Sequence, residues 1–66
     1  MLFGKPTFFY NPQMVKEEGG ETPIYSITVY KHWMGKNSIS RIITNEDPIR
    51  LLGLVRIFVG TANESI

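Results

Sequence analysis

The residues best suited to acid–base or nucleophilic chemistry are the lone histidine, His32, and the serines of the chain. Acyl transfer by such residues needs a nucleophile, a base within its reach and donors that stabilise the oxyanion. No serine lies in the Gly-x-Ser-x-Gly spacing of a nucleophile elbow, and the lone aspartate, Asp47, is better explained as a helix cap. We therefore interpret His32 as an exposed or hydrogen-bonded strand residue and predict no catalytic residue.

A group of carboxylates surrounds two adjacent glycines in the stretch Lys-Glu-Glu-Gly-Gly-Glu, residues 16–21. Glycines among charged residues predict a solvated loop, where Glu17, Glu18 and Glu21 would lack the enclosed setting of acid–base catalysts. The glycine pair is not followed by the Lys-Ser/Thr and helix of a phosphate-binding loop. With one histidine and no cysteine, a zinc site is not supported either, so we expect no cofactor and no metal.

Aromatic and basic residues alternate along the strongest strand signal and the turn after it. Bases of a single-stranded nucleic acid stack on such aromatics while cations neutralise the phosphates. Against this interpretation, the net charge is only +1, and Trp33 is expected on the core face of its strand. A single-stranded nucleic-acid-binding protein is therefore the alternative hypothesis, and its binding residues would be Tyr30, Lys31, His32, Lys36 and Arg41.

Residue types that are enriched in the cores of protein interfaces are frequent in this chain. Ile49 and Ile57 fall on the polar side of a predicted helix, and so short a chain has little apolar surface to leave exposed. This pair favours contact with a second chain, and we expect self-association as a symmetric dimer. The residues predicted to contact a protein partner or a second copy are Tyr10, Tyr30, Ile49, Arg50, Arg56 and Ile57.

Three predicted strands would position most of these side chains. Residues 7–11 lie between two prolines and are expected to form a short edge strand. Residues 22–33 give the clearest strand, because they are mostly β-branched or aromatic and their alternation places Ile27 and Val29 on one face. Residues 38–44 form the returning strand, and their imperfect alternation indicates either two partly covered faces or a β-bulge.

The last third of the chain predicts a helix. Asp47 is a good N-cap, Pro48 fits the first helical position, and Gly60 is a typical C-terminal stop. A broad apolar arc of this helix would pack on the sheet, and it comprises Leu51, Leu52, Leu54, Val55, Phe58 and Val59. The alternative is that residues 54–61, in which branched residues alternate, form a further strand of an all-β sheet or small barrel.

Length and composition bound the class of protein. A chain of 66 residues predicts a single small domain over residues 1–66. Its hydrophobic share of 42% and charged share of 20% are typical of a folded chain. We find no targeting signal and no apolar run near the roughly 20 residues of a membrane span, and we expect a cytoplasmic protein that does not contact membranes.

The sequence thus predicts an α+β fold, a three-stranded antiparallel sheet of order β-β-β-α with one C-terminal helix packed on one face. The predicted function is that of a small non-enzymatic protein that acts by occupancy on a protein partner. An inhibitor or adaptor encoded by a phage or mobile element would be such a protein. No motif indicates a small-molecule ligand.

Overall fold

The computed structural model describes residues 4–64, in which one C-terminal helix lies on an antiparallel sheet. The predicted α+β class and the single helix are confirmed. The sheet has four strands rather than three, because the segment before the long hairpin contributes two short strands. In chain order the elements are β1 (Thr7–Tyr10), β2 (Val15–Glu17), β3 (Ile24–Trp33), β4 (Lys36–Asn45) and α1 (Pro48–Glu64).

β3 is the central strand of the sheet. β4 pairs with one edge of β3 along its length, from Lys36 to Asn45. β1 and β2 share the other edge, where β1 pairs with residues 29–32 and β2 pairs with residues 24–26. All three pairings are antiparallel, so the interrupted N-terminal segment and β4 flank β3 on opposite sides.

The predicted loop over residues 16–21 is wrong at its start, because Lys16 and Glu17 belong to the short strand β2. Lys16 and Glu17 pair with Tyr25 and Ile24, and all three residues of β2 are exposed. A strand at a sheet edge needs backbone hydrogen bonds to its neighbour, and charged side chains are common there. The polarity that indicates a loop is therefore equally compatible with a short edge strand.

The core forms where one face of β3 meets α1. Ile27 and Val29 from β3 and Leu51 and Val55 from α1 are fully buried. The predicted assignment of Ile27 and Val29 to one core-facing side of the strand is confirmed. Burial of each such side chain contributes about 1.5–3 kcal/mol, so four residues supply much of the stability of this small protein.

Trp33 lies on the core-facing side of β3, as predicted, but its side chain does not pack into the core. Its side chain remains 42% exposed. The reason is the reach of α1: Asn63, in the last turn, bonds to Phe8, which pairs with Lys31 of β3. The helix therefore ends before the position of Trp33.

β4 contains a bulge at its centre. The register of β3 against β4 shifts by one residue between Val29 and Tyr30, which leaves Ser40 as the extra residue. A bulge, one of the two explanations that the sequence offered, is therefore present, but the adjacent Ile42 and Ile43 follow it in regular pairing and lie on opposite faces of the sheet. As a consequence of the bulge, Ile39 and Ile42 lie on the same face of the sheet although they are three residues apart.

The start of α1 agrees with the sequence prediction. The Asp47 side chain accepts hydrogen bonds from the backbone N–H groups of Ile49, at 3.0 Å, and Arg50, at 3.4 Å. The Asp47 carbonyl accepts the bond from the N–H of Leu51 at 2.8 Å, and Pro48 is the first helical residue. Asp47 is thus the N-cap, and it satisfies donors that the first turn cannot pair internally.

The end of α1 differs from the prediction, because the helix passes through Gly60 and continues to Glu64. The alternative in which residues 54–61 form a strand is also wrong. The last turn is held by Asn63, whose Oδ1 accepts from the Phe8 N–H at 2.7 Å and whose Nδ2 donates to the Phe8 carbonyl at 2.9 Å. These bonds to β1 offset the cost of about 1 kcal/mol that glycine brings to a helix interior.

Replacement of Asp47 by alanine should lower the free energy of unfolding by about 1 kcal/mol, because first-turn N–H groups lose their acceptor. Urea unfolding followed by circular dichroism measures this loss. Asp47→Asn should keep most of the stability, since asparagine caps nearly as well. Equal losses in the two variants would contradict the capping role.

Asn63→Ala should cost about 1–3 kcal/mol, because it leaves the Phe8 backbone without two partners in a half-buried setting. The Phe8 amide should also lose protection in hydrogen exchange. Thr61→Ala, an exposed change near the same helix end, is the matched control and should alter stability by less than about 0.5 kcal/mol. Unchanged exchange at Phe8 in Asn63→Ala would refute the tie between α1 and β1.

Candidate functional site

The outward side of α1 carries an apolar ridge that the sheet does not cover. Ile49 is 83% exposed and Ile57 is 68% exposed. Leu54, which the sequence assigns to the core arc, is also exposed and lines the same shallow groove of about 410 Å³. We name Ile49, Gly53, Leu54 and Ile57 the helix ridge.

Gly53 forms a notch in the middle of the helix ridge. Residues four apart lie above one another on an α-helix, so Gly53 separates Ile49 from Ile57 along one line. A Cβ atom added to Gly53 would meet no atom within 4 Å, and therefore the fold itself does not require glycine there. A glycine in a helix interior destabilises the helix by about 1 kcal/mol relative to alanine, whereas its lack of a side chain would let a partner approach the backbone closely.

Two arginines border the helix ridge. At 3.6 residues per turn, Arg50 and Arg56 lie on opposite sides of the line from Ile49 to Ile57, and both line grooves that include Gly53. Four of the six residues predicted to contact a partner therefore share one surface of α1. That surface has the composition of an interface core, apolar at the centre with arginine at the rim.

The two predicted tyrosine anchors lie elsewhere. Tyr10 is on the α1 side of β1, where it is half-buried and packs against the core. Tyr30 lies on the opposite face of the sheet, where its ring stacks on Phe9 with centroids 5.5 Å apart. The fold therefore separates both tyrosines from the helix ridge.

A second apolar surface occupies the sheet face opposite α1, which we name the open face. Ile39 and Ile42 of β4 are 62% and 56% exposed there, in line with the Phe9–Tyr30 stack of the neighbouring strands. Sequence reasoning missed these isoleucines, because the bulge changes the phase of β4. The apolar members of the open face are Phe9, Val15, Ile24, Tyr30, Ile39 and Ile42.

The residues of the nucleic-acid hypothesis do not form one surface. Tyr30 and His32 lie on the open face, and a ring nitrogen of His32 is hydrogen-bonded to Asn37 across the hairpin. Lys31, Lys36 and Arg41 lie on the α1 side, where the Arg41 guanidinium is 5.0 Å from the centre of the Phe58 ring. A nucleic-acid strand stacked on Tyr30 would consequently have all three predicted lysine and arginine residues on the other side of the sheet.

Charged side chains are divided between the two ends of the sheet. The end where β3 begins and β4 ends holds five of the six side-chain carboxylates and two cations, so its net charge is −3. The hairpin end holds three lysines and one carboxylate, so its net charge is +2. We name these the acidic end and the basic end. The acidic end holds Glu17, Glu18, Glu21, Glu46 and Asp47 with Lys16 and Arg50, and the basic end holds Lys5, Lys31 and Lys36 with Glu64.

The turn at the basic end has an unusual residue in a left-handed conformation. β3 and β4 are joined by Met34 and Gly35, which have φ angles of 53° and 79°. Two consecutive positive values are typical of a type I′ hairpin turn, in which asparagine followed by glycine is preferred. Met34 is therefore both exposed and held in a conformation that its side chain disfavours.

When the chain is compared with known proteins, no family model, no curated protein and no solved structure matches it. Residues 4–64 contain no group of three or more histidine, cysteine or acidic side chains that could hold a metal ion. Within the same residues, no helix has both the length and the apolar content needed to cross a bilayer.

Met34→Asn should raise the free energy of unfolding by up to about 1 kcal/mol, because asparagine tolerates the left-handed region better than methionine does. Thermal or urea unfolding measures the change. Lys36→Asn, just beyond the turn, is the control and should leave stability nearly unchanged. A destabilised Met34→Asn protein would show that the Met34 side chain contributes packing that outweighs its backbone cost.

Proposed function

We propose that this protein is a non-enzymatic binding module that acts by occupying a site on a protein partner, with the helix ridge as its docking surface. One observation carries the proposal: α1 exposes Ile49, Leu54 and Ile57 around a glycine that the fold does not need. Contiguous apolar side chains rimmed by polar residues mark interaction sites on small proteins.

The chemistry of the helix ridge suggests what the partner would present. An apolar groove or a second helix could cover Ile49 and Ile57 and approach the backbone at Gly53. Acidic groups at the edge of such a site could pair with Arg50 and Arg56, since arginine forms two-pronged bonds with carboxylates. A few buried anchors carry most of the free energy in such interfaces, and we expect Ile57 to be one of them.

The broader biological setting belongs to the same proposal. A cytoplasmic inhibitor or adaptor of the kind encoded by phages and mobile elements would work by occupancy without turnover. The lack of cysteine in residues 1–66 supports a cytoplasmic setting. The ring of His32 is hydrogen-bonded to Asn37 at an exposed position, which supports a structural rather than an acid–base role for this residue in the proposal.

Ile57→Glu should weaken partner binding at least about tenfold, which corresponds to about 1.4 kcal/mol, because a carboxylate would replace an anchor in an apolar contact. The tagged wild-type protein first recovers its partner from the organism that encodes it, and calorimetry with the purified partner then compares the variants. Val15→Glu, a change at another exposed apolar residue, on the open face, is the control and should bind as the wild type does. Equal binding by Ile57→Glu and the wild type would remove the helix ridge from the interface.

Binding measurements with an oligonucleotide distinguish this proposal from the nucleic-acid alternative. Fluorescence anisotropy with a labelled single-stranded oligonucleotide should show negligible binding at physiological salt. If the alternative holds, binding would instead be tight and would fall steeply with salt through counterion release. Tyr30→Ala would then cost about 1–3 kcal/mol from lost base stacking, and that result would replace the proposal.

A further inference from the structure

The outer edge of β4 is a continuous, unpaired strand edge. Among residues 4–64, no strand pairs with the side of β4 that faces away from β3. β4 presents ten residues there, whereas the opposite edge of the sheet is broken between β1 and β2. A long exposed edge offers backbone N–H and C=O groups to any strand that can pair with it.

The bulge limits which strand can pair. In an antiparallel pair, opposing residues lie on the same face of the sheet. The extra residue Ser40 changes which residues point to which face. Before it the odd-numbered residues Asn37 and Ile39 lie on the open face, and after it the even-numbered residues Ile42 and Thr44 do. A regular strand would therefore match the faces of only one half of this edge.

A second copy of β4 matches both halves. If two β4 strands run antiparallel with the two-fold axis between Ser40 and Arg41, the first half of each strand meets the second half of the other. Apart from the Ser40–Arg41 pair at the axis, every residue then opposes one from the same face: on the open face Asn37 opposes Thr44 and Ile39 opposes Ile42, and on the α1 side Lys36 opposes Asn45 and Ser38 opposes Ile43.

The charges of the molecule fit the same arrangement. Antiparallel pairing places the basic end of one copy beside the acidic end of the other, so Lys36 comes close to Glu46 and Asp47 of the second copy. The two Arg41 side chains near the axis are drawn away from the edge, because each guanidinium lies over the Phe58 ring of its own chain. Complementary charges of this kind fix register and orientation.

We propose that β4 binds β4 of a second copy in this register, forming a two-fold dimer with one continuous antiparallel sheet. Both helices then lie on one side, and Ile39 and Ile42 of the two copies form a single apolar row across the open face. This surface is separate from the helix ridge, which stays available to a protein partner. Two-fold contact through the helix ridge is less favourable, since it would bring Arg50 and Arg56 of both copies together.

Sedimentation velocity over a concentration series tests the proposal. The wild type should form a dimer. Ile39→Lys should shift it to monomer, because the introduced lysine would face the Ile42 of the second copy and disrupt the apolar row. Ile57→Lys is the matched control: it changes another largely exposed isoleucine, on α1, and it should leave the dimer intact. Circular dichroism confirms that each variant folds, as expected for changes at exposed positions.

A paired substitution tests the register itself. In Ile39→Lys combined with Ile42→Glu, the introduced lysine and glutamate face each other across the proposed interface, and the dimer should return. Ile39→Lys combined with Ile42→Lys should remain monomeric through like-charge repulsion. A monomeric wild type, a species larger than a dimer, loss of the dimer in Ile57→Lys, or no rescue by the lysine–glutamate pair would overturn the proposal.

Discussion

The contact of Leu51 and Val55 in α1 with Ile27 and Val29 in β3 is the interaction on which the rest of the structure depends. These four side chains are the fully buried hydrophobic residues of the described chain, and with no cysteine no disulfide can supplement them. A domain of this size buries only about 60% of the surface that its unfolded chain exposes. The stability of this small domain therefore depends strongly on the alignment of α1 over β3.

Polar contacts at each end of α1 maintain that alignment. Asp47 pairs first-turn N–H groups at the start, and the Asn63 amide binds both backbone groups of Phe8 at the end. At the start of α1 the Asp47 N–H also donates to Oδ1 of Asn45, the last residue of β4, at 2.9 Å. The helix is thus tied to β4 at one end and to β1 at the other. Because these polar contacts lie at opposite ends of α1, they hold the four core residues in register without burying additional apolar surface.

A single helix on a sheet can cover only one face, and this limit explains where apolar surface remains. The open face, the outward side of α1 and the edge of β4 all lack a neighbour within residues 4–64. Isolated exposed apolar residues are ordinary, but here they form continuous sets on defined elements. The bulge distinguishes one half of β4 from the other, and the separation of charge distinguishes one end of the sheet from the other. A partner of the exposed apolar surface would therefore bind in a defined orientation.

Features that depend only on residues close together in the chain could be predicted from the sequence by itself. The Asp47–Pro48 start of α1 and the core face of β3 follow from interactions between residues close in the chain, and the structure has both as predicted. Contacts between distant segments decided the rest. Asn63 meets Phe8 only after the helix has docked, so Gly60 does not end it. Trp33 stays exposed because α1 stops short of it. The charges separate into two ends because antiparallel pairing of β2 and β4 with β3 brings residues 17–21 and residues 46–47 to the same end of the sheet. The sequence specifies such contacts through the fold as a whole, and no local pattern records which distant segment a residue will meet.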